Sequence, residues 1–503
     1  PPRSTLSSSS AASDVYKRQL TSSINYSAVS DIDYLPDIGG DVGSSRIDTF
    51  IGPIDQNLNN RLSASLDRKG DIIYQDAQLT AGVQIQAFQP LVLNAKPQYE
   101  RLPRLHARYR YQFAGINVDF HGAHTWFDRD HEKFSGILAI TGQRTVGDLS
   151  ITYPLRNSWG FVTPSAGVTH RLYRLDQVPV GIEEVPNRTD TWASLDTGLI
   201  FDRFFQWGQK DWLQTLEPRA FYLYANATDQ KDLPRFDAGT PTPSLSQLFR
   251  RNRFSGWDRI NDANLASLSI TSRLIDRDTG NQRGSISLGQ QYYFSDREVL
   301  YRDRDPRAGT RGSSPLFAEL RLSPRQNMSV SARLTYDANE DRVDRSNVTL
   351  RYTPDNRRIL SFSYLHTHPA IQPIREFRNT EESDIAIIWP IKGLWSMIGR
   401  WNFGWTQNQT IDYFAGIEYN DCCWKSRIVV RRFARQPRII TVLTDDPTSP
   451  GNFLTENETI LPSDTVLFVE FQMKGLATIG ERLDLLLEQA IPGYRAREDE
   501  ITR

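Results

Sequence analysis

The feature that most constrains this chain is a period-two alternation of apolar and polar residues that recurs along most of its length. Ala266, Leu268, Ile270 and Leu274 fall on one side of a strand, and Ser267, Ser269, Thr271 and Arg273 on the other. Met328, Val330, Ala332, Leu334 and Tyr336 likewise oppose Ser329, Ser331, Arg333 and Thr335. Val348, Leu350 and Tyr352 oppose Asn347, Thr349 and Arg351, and Leu360, Phe362 and Tyr364 oppose Ser361 and Ser363. Ala107, Tyr109, Tyr111 and Phe113 oppose Arg108, Arg110 and Gln112. Near the end, Leu467, Val469, Phe471 and Met473 oppose Glu470, Gln472 and Lys474. Segments of about ten residues suit a tilted strand that crosses a bilayer. Turn signals separate them at Asp67–Gly70, Asp276–Asn281, Asp337–Asp344, Pro354–Arg357 and Asn420–Asp421. Helical periodicity is nearly confined to Arg482–Ala490.

Such alternation fits a soluble sandwich or a membrane barrel, and the second face decides between them. A solvated outer face is rich in Lys and Glu, whereas here the polar face carries Ser, Thr, Asn, Gln and Arg, and the chain has nine Lys in 503 residues. A hydrophobic fraction of 39% and a mean hydropathy of −0.51 suit a wall with lipid on one side and a wet bore on the other. Aromatic residues at 11% suit girdles at two membrane interfaces. Closure removes the edges of a long sheet, and in lipid every backbone N–H and C=O must be paired. The expectation is an all-β fold, a large antiparallel transmembrane β-barrel of roughly 20–24 strands. Residues 1–20 read as a disordered or non-native appendage, 21–475 as the barrel, incomplete on its N-terminal side, and 476–503 as a periplasmic tail. A net charge of −1 gives no reason to expect nucleic acid. No apolar run is long enough for a transmembrane helix.

Loop lengths set an orientation, because bacterial barrels place short turns in the periplasm. A long polar stretch, Arg435–Asp464, precedes the last strand, Thr465–Lys474, and the tight turn Asn420–Cys423 precedes strand Trp424–Phe433. The long stretch is then extracellular and the cysteine turn periplasmic. Thr228–Asp262, with RRNR at Arg250–Arg253, reads as another large loop.

Signs of catalysis are few. His121, His124, Asp128, Asp130 and His131 are the densest group, but alternation sends His121 and His124 to opposite faces. His366 and His368 share a face without a convincing ligand set. No GxSxG, P-loop or GxGxxG stands in a fitting context. No catalytic, metal or cofactor site is assigned. Arg108, Arg110, Arg273, Arg321, Arg333 and Arg351 all fall on the polar face with Glu470. They suit a ladder of ion pairs bracing the lumen wall, or contact with an anionic headgroup or a plug.

Several stretches resemble one family, the LPS-assembly protein LptD. They are NSWGFVTP at Asn157–Pro164, SGWDRINDANLASLSITSRLID at Ser255–Asp276 and GQQYYF at Gly289–Phe294. AGIEYNDCCW at Ala415–Trp424, FVEFQMKGLATIG at Phe468–Gly480 and LLLEQAIPGY at Leu485–Tyr494 complete the set. The resemblance implies lipopolysaccharide transport into the outer leaflet of the Gram-negative outer membrane, without catalysis. It implies a barrel of about 26 strands with the lipoprotein LptE inside it as a plug. It further implies an N-terminal jellyroll that meets the bridge protein LptA, and a lateral gate between the first and last strands. Leu467, Val469, Phe471 and Met473 would lie on the gate's last strand. The jellyroll, its cysteines and the first strands are not found in this chain. The alternative readings are a general porin or a plugged ligand-gated receptor, and beyond those a soluble carbohydrate-binding β protein. Cys422 and Cys423 are the only cysteines. Adjacent Cα atoms lie about 3.8 Å apart, too close for an ordinary disulfide between them. Both are therefore expected to bond cysteines outside this chain, which the family resemblance places in the N-terminal part.

Overall fold

The computed structural model describes residues 18–30, 65–90, 98–130, 132, 134–226, 228–300, 307–355, 357–368, 380–406, 408–434, 438–445, 453–460, 463–474, 477–480 and 483–501. The first strands are β1 (Gln19–Tyr26), β2 (Ser65–Gln75), β3 (Leu79–Pro90), β4 (Glu100–Phe113), β5 (Ile116–Asp128), β6 (Thr141–Thr152), β7 (Leu155–Asn157) and β8 (Gly160–Asp176). Next come β9 (Asn187–Leu199), β10 (Phe201–Trp207), β11 (Lys210–Ala225), β12 (Ala263–Asp276), β13 (Gln282–Tyr293), β14 (Leu316–Arg325), β15 (Met328–Asp337) and β16 (Arg342–Asp355). The remainder are β17 (Arg358–Thr367), β18 (Thr380–Lys392), β19 (Trp395–Gly404), β20 (Gln409–Asn420), β21 (Trp424–Ala434), β22 (Arg438–Asp445), β23 (Phe453–Ile460), β24 (Ser463–Met473) and β25 (Ala477–Gly480). Two helices follow, α1 (Leu483–Ala490) and α2 (Tyr494–Ile501).

Among the described residues twenty-three strands form one antiparallel sheet in which each pairs with the strand before or after it along the wall, β21 pairing with β24. β6 and β7 both pair with β8, and β9 and β10 both pair with β11, so each couple is one interrupted strand and the 23 occupy 21 positions. β22 and β23 form a separate two-stranded ladder in line with the β21–β24 hairpin. Among the described residues no pairing joins β1 to β24 or β25, so a seam lies there. The nine alternate connections from 76–78 to 421–423 are two to five residues long and fall at one end of the wall, and the other end carries the long connections together with two of four residues, 338–341 and 405–408.

The two faces are inverted relative to a soluble protein. Leu268 and Ile270 are 48% and 42% exposed, while Ser267 between β11 and β13 is fully buried. On β24, Leu467 and Val469 are 61% and 54% exposed, and Glu470 is 1% exposed. In water this arrangement would cost on both counts, but against hydrocarbon it satisfies both faces. The outer face also carries aromatic belts. Trp395, Tyr419, Trp424 and Phe471 contact one another in sequence across β19, β20, β21 and β24 near the short turns. Trp401, Phe403 and Trp405 cluster near the other end of β19. Ten residues of tilted strand separate Trp395 from Trp405, which gives a band of about 25 Å, the height of a hydrocarbon core.

Three local expectations change. Asp67–Gly70 is not a turn but lies inside β2, where pairing to both β1 and β3 overrides its turn-like composition. The stretch read as a long polar loop at Arg435–Asp464 contains the β22–β23 hairpin. β24 is not the final strand, because β25 folds back on its outer edge, with Glu470 opposite Gly480 and Met473 opposite Ala477.

Candidate functional site

Two segments of the chain itself pack against the inner face of the wall. At the long-connection end, residues 228–262 between β11 and β12 lie on it as a lid. Arg144 on β6 anchors it, donating to Asp258 at 2.5 Å and to Asp237 at 2.6 Å. Arg171 on β8, fully buried, bonds Asp190 at 2.5 Å and the carbonyl oxygens of Trp257 at 3.2 Å and Asp258 at 3.0 Å. Tyr173 donates to Asp258 at 3.2 Å, and Arg251 reaches Asp148 of β6 at 3.1 Å. Although burial opposes it, Arg144 beside Asp237 holds that carboxyl below the usual carboxylate range. The lid chain bends at Gly256, with φ at +67°. A Cβ there would fall 2.4 Å from the Asp237 carbonyl oxygen, so only glycine fits. Leu233 and Phe236 of the lid pack with Tyr99, Phe127, Ile140, Tyr173 and Leu175 of the wall.

At the short-turn end, α1 and α2 dock against the inner face of β17–β24. That sector is layered. Nearest the long connections, Arg400 bonds Asp384 at 2.8 Å and Asp412 at 3.0 Å, and Arg431 bonds Asp412 at 3.1 Å. Below lies an apolar layer, Ile359, Ile388, Ile398, Phe414, Val429 and Phe468, covered by Leu483, Leu487, Ile491 and Tyr494 of the tail. Below that, Arg427 bonds Glu418 at 2.8 Å, Glu470 at 2.9 Å and the Tyr494 hydroxyl. Arg497 of α2 bonds Glu418 at 2.5 Å, and Glu498 accepts from Lys425 at 2.9 Å. Arg400, Arg427, Arg431 and Arg497 are each paired with a carboxylate, without which their burial would be prohibitive.

The residues singled out from the sequence fall as follows. Arg273 pairs with Glu217 at 2.8 Å, Arg108 with Asp119 at 2.6 Å and Arg321 with Glu319 at 3.0 Å. Arg333 stands opposite Glu319 and Asn347 in the ladder, and Arg351 opposite Ser361 on the inner face, close to Gly493 of the tail. Glu470 belongs to the Arg427 cluster. Leu467, Val469, Phe471 and Met473 share the outer face of β24. Cys422 and Cys423 sit in the exposed β20–β21 turn, both free, with Sγ atoms 2.9 Å apart. The hydrogen bond with Cys423 and the charge of Asp421 push the Cys422 thiol up to about 11. His121 and His124 do face opposite ways: His121 stacks on Trp257 in the bore and His124 bonds Thr145 outside. No metal-binding cluster occurs among the described residues, and His131 lies outside them. Sequence reasoning missed the lid anchors Arg144 and Arg171 and the tail anchors Arg427 and Arg497.

An antiparallel wall with apolar residues outward, ion pairs inward and aromatic belts about a bilayer apart defines a membrane β-barrel of the outer-membrane type. A family model described as "LptD: LPS transport system D" matches residues 7–395. The LPS-assembly protein LptD of Hahella chejuensis is 31% identical over 95% of this chain and 55% of its own length. That of Alcanivorax borkumensis is 32% identical over 90% of this chain and 56% of its own. That of Marinobacter nauticus is 31% identical over 94% and 54%. This chain belongs to the LptD family, and it spans about half the length of the curated relatives it matches. Among solved structures, the siderophore receptor PirA from Acinetobacter baumannii aligns with a TM-score of 0.35 and 8% identity over 83% of this chain and 73% of that one.

Proposed function

We propose that this chain is the wall through which lipopolysaccharide is moved and released into the outer leaflet of the outer membrane, as part of a longer protein. The observation that carries the reading is a barrel wall of the LptD family with an inverted profile and a polar bore. Its short turns, Cys422 and Cys423 and the C-terminal helices share one end, which we assign to the periplasm. β24 supplies one lip of a lateral gate. Its edge from Ser463 to Val469 is left open by β25, and its outward side chains Leu467, Val469, Phe471 and Met473 offer an apolar surface to acyl chains. The other lip, the jellyroll, contact with LptA and the cysteines that bond Cys422 and Cys423 belong to sequence N-terminal to the wall. LptE is the plug expected in the bore, and no step is catalytic. The inward Arg273 and Arg333 keep the passage hydrated for the sugar, while Arg351 and Glu470, also on the inner face, lie against or under the tail.

The test is a photo-crosslinker at Leu467 or Val469 in the full-length protein in cells. The reading expects adducts with lipopolysaccharide or with the first strand. Adducts with β21 alone would refute the gate.

A further inference from the structure

Two consecutive arginines on β21 face opposite ways. Arg431 points into the bore and bonds Asp412 at 3.1 Å. Arg432 is exposed on the outer face, where Ile428 and Val430 precede it on the same side. An arginine on the lipid side of a barrel is costly at the midplane and nearly free at the interface. Eight residues of tilted strand separate Arg432 from Trp424 in the belt near the short turns, a height of about 20 Å. Arg432 therefore lies at the opposite boundary of the hydrocarbon, at headgroup depth in the outer leaflet under the orientation assigned above.

The strand register sets its neighbours. Arg432 stands opposite Tyr413 of β20 and Thr465 of β24, and Tyr413 stands opposite Trp401 of β19. The row thus has aromatic rings on one side of the guanidinium and a hydroxyl on the other, and all four side chains are exposed. Arg432 Nε donates to Ser463 Oγ at 3.1 Å, which adds a second hydroxyl from β24. Arg432 forms no ion pair among the described residues, so the forked end of its guanidinium stays available. Toward the short turns come Val430 opposite Leu467, then Ile428 opposite Val469, all exposed. The patch is a cationic fork with two hydroxyls above a strip of apolar side chains, beside the seam.

We propose that the outer face of β19–β24 holds a phosphorylated glycolipid of the outer leaflet, with its phosphate on Arg432 and on the Ser463 and Thr465 hydroxyls. The guanidinium fork matches two phosphate oxygens, and the hydroxyls donate to a third. Tyr413 and Trp401 offer a sugar ring amphipathic aromatic surface at the depth where such side chains settle. The acyl chains lie on Val430, Leu467, Ile428 and Val469. Charge meets opposite charge at the headgroup, and apolar surface meets apolar surface below it. The site rests on the reading that β24 is a lip of the gate, and it adds the place outside the wall where released lipid is first held.

The experiment places a photo-crosslinker at Val430 of the full-length protein in phosphatidylcholine vesicles. The vesicles contain phosphorylated lipid A, its dephosphorylated form or phosphatidylglycerol at equal mole fraction. Adducts with phosphorylated lipid A are expected to exceed those with either other lipid by about tenfold. Arg432→Gln is expected to lower them by a similar factor, while Arg174→Gln, which removes another exposed arginine on β8, leaves them unchanged. Heat-modifiable gel migration of every variant checks that the wall is folded. Equal adducts with the dephosphorylated form or with phosphatidylglycerol, wild-type yield in folded Arg432→Gln, or an equal loss in Arg174→Gln would overturn the site. The lipid reaches this patch from the vesicle without passing the seam, so a failure here and a failure of Val469 crosslinking in cells are separate results.

Discussion

The two halves of the wall are closed by opposite means. From β3 to β12 the closure is a loop at the long-connection end, tied to the wall by Arg144 and Arg171. From β16 to β24 the closure is the C-terminal helix pair at the short-turn end, and the charges there are matched, as in Arg427 with Glu418 and Glu470. The contrast teaches that the tail braces the wall beside the seam through an apolar layer and ion pairs, whereas the lid is a single loop held by buried Arg144 and Arg171 and one aromatic cluster.

Breaking the brace has the largest expected effect. Arg427→Ala removes a buried partner from both Glu418 and Glu470, leaving Glu418 with Arg497, and is expected to cost about 3–5 kcal/mol. Urea midpoints of the folded band on gels measure it. Arg351→Ala, on the same face but with no carboxylate paired to it among the described residues, is expected to cost far less, and equal losses would end the brace account. Next comes the lipid face. Leu268→Arg is expected to cost about 2–4 kcal/mol near the midplane, and Ser269→Arg on the adjoining inner position little. Folding yields into vesicles give the comparison. The lid is expected to be weaker. Asp258→Asn removes a charge-assisted bond to Arg144 worth about 1.5–3 kcal/mol. It is expected to expose Arg250–Arg253 to trypsin with the barrel still heat-modifiable, and unchanged cleavage would show that Arg144 does not hold the lid. The smallest effect is chemical. In reduced protein at pH 8, alkylation of Cys422 is expected to be slower than for an ordinary exposed thiol, because its pKa stands at about 11 and the thiolate is the reacting form. Asp421→Asn is expected to speed it, and no change would remove Asp421 as a cause.

The wall was legible in the sequence because lipid and a wet bore impose opposite demands on alternate residues, and Leu268 against Ser267 states that demand locally. The closures were not legible. Arg144 and Asp258 are 114 residues apart, and nothing near either one names the other. The tail left a trace that alternation alone passes over. Ile385, Ala386, Ile387 and Ile388 are apolar on both faces, and the inner pair is the patch that α1 covers.

The central claim is that this wall has lipid outside and ion pairs inside. Its most direct test is a spin-label scan of residues 266–274 in β12 in vesicles, comparing collisions with oxygen and with a water-soluble nickel chelate. The account expects oxygen accessibility to peak at 266, 268, 270 and 274 and to fall at 267, 269, 271 and 273. Accessibility with no period of two, or with the two sets exchanged, would contradict it.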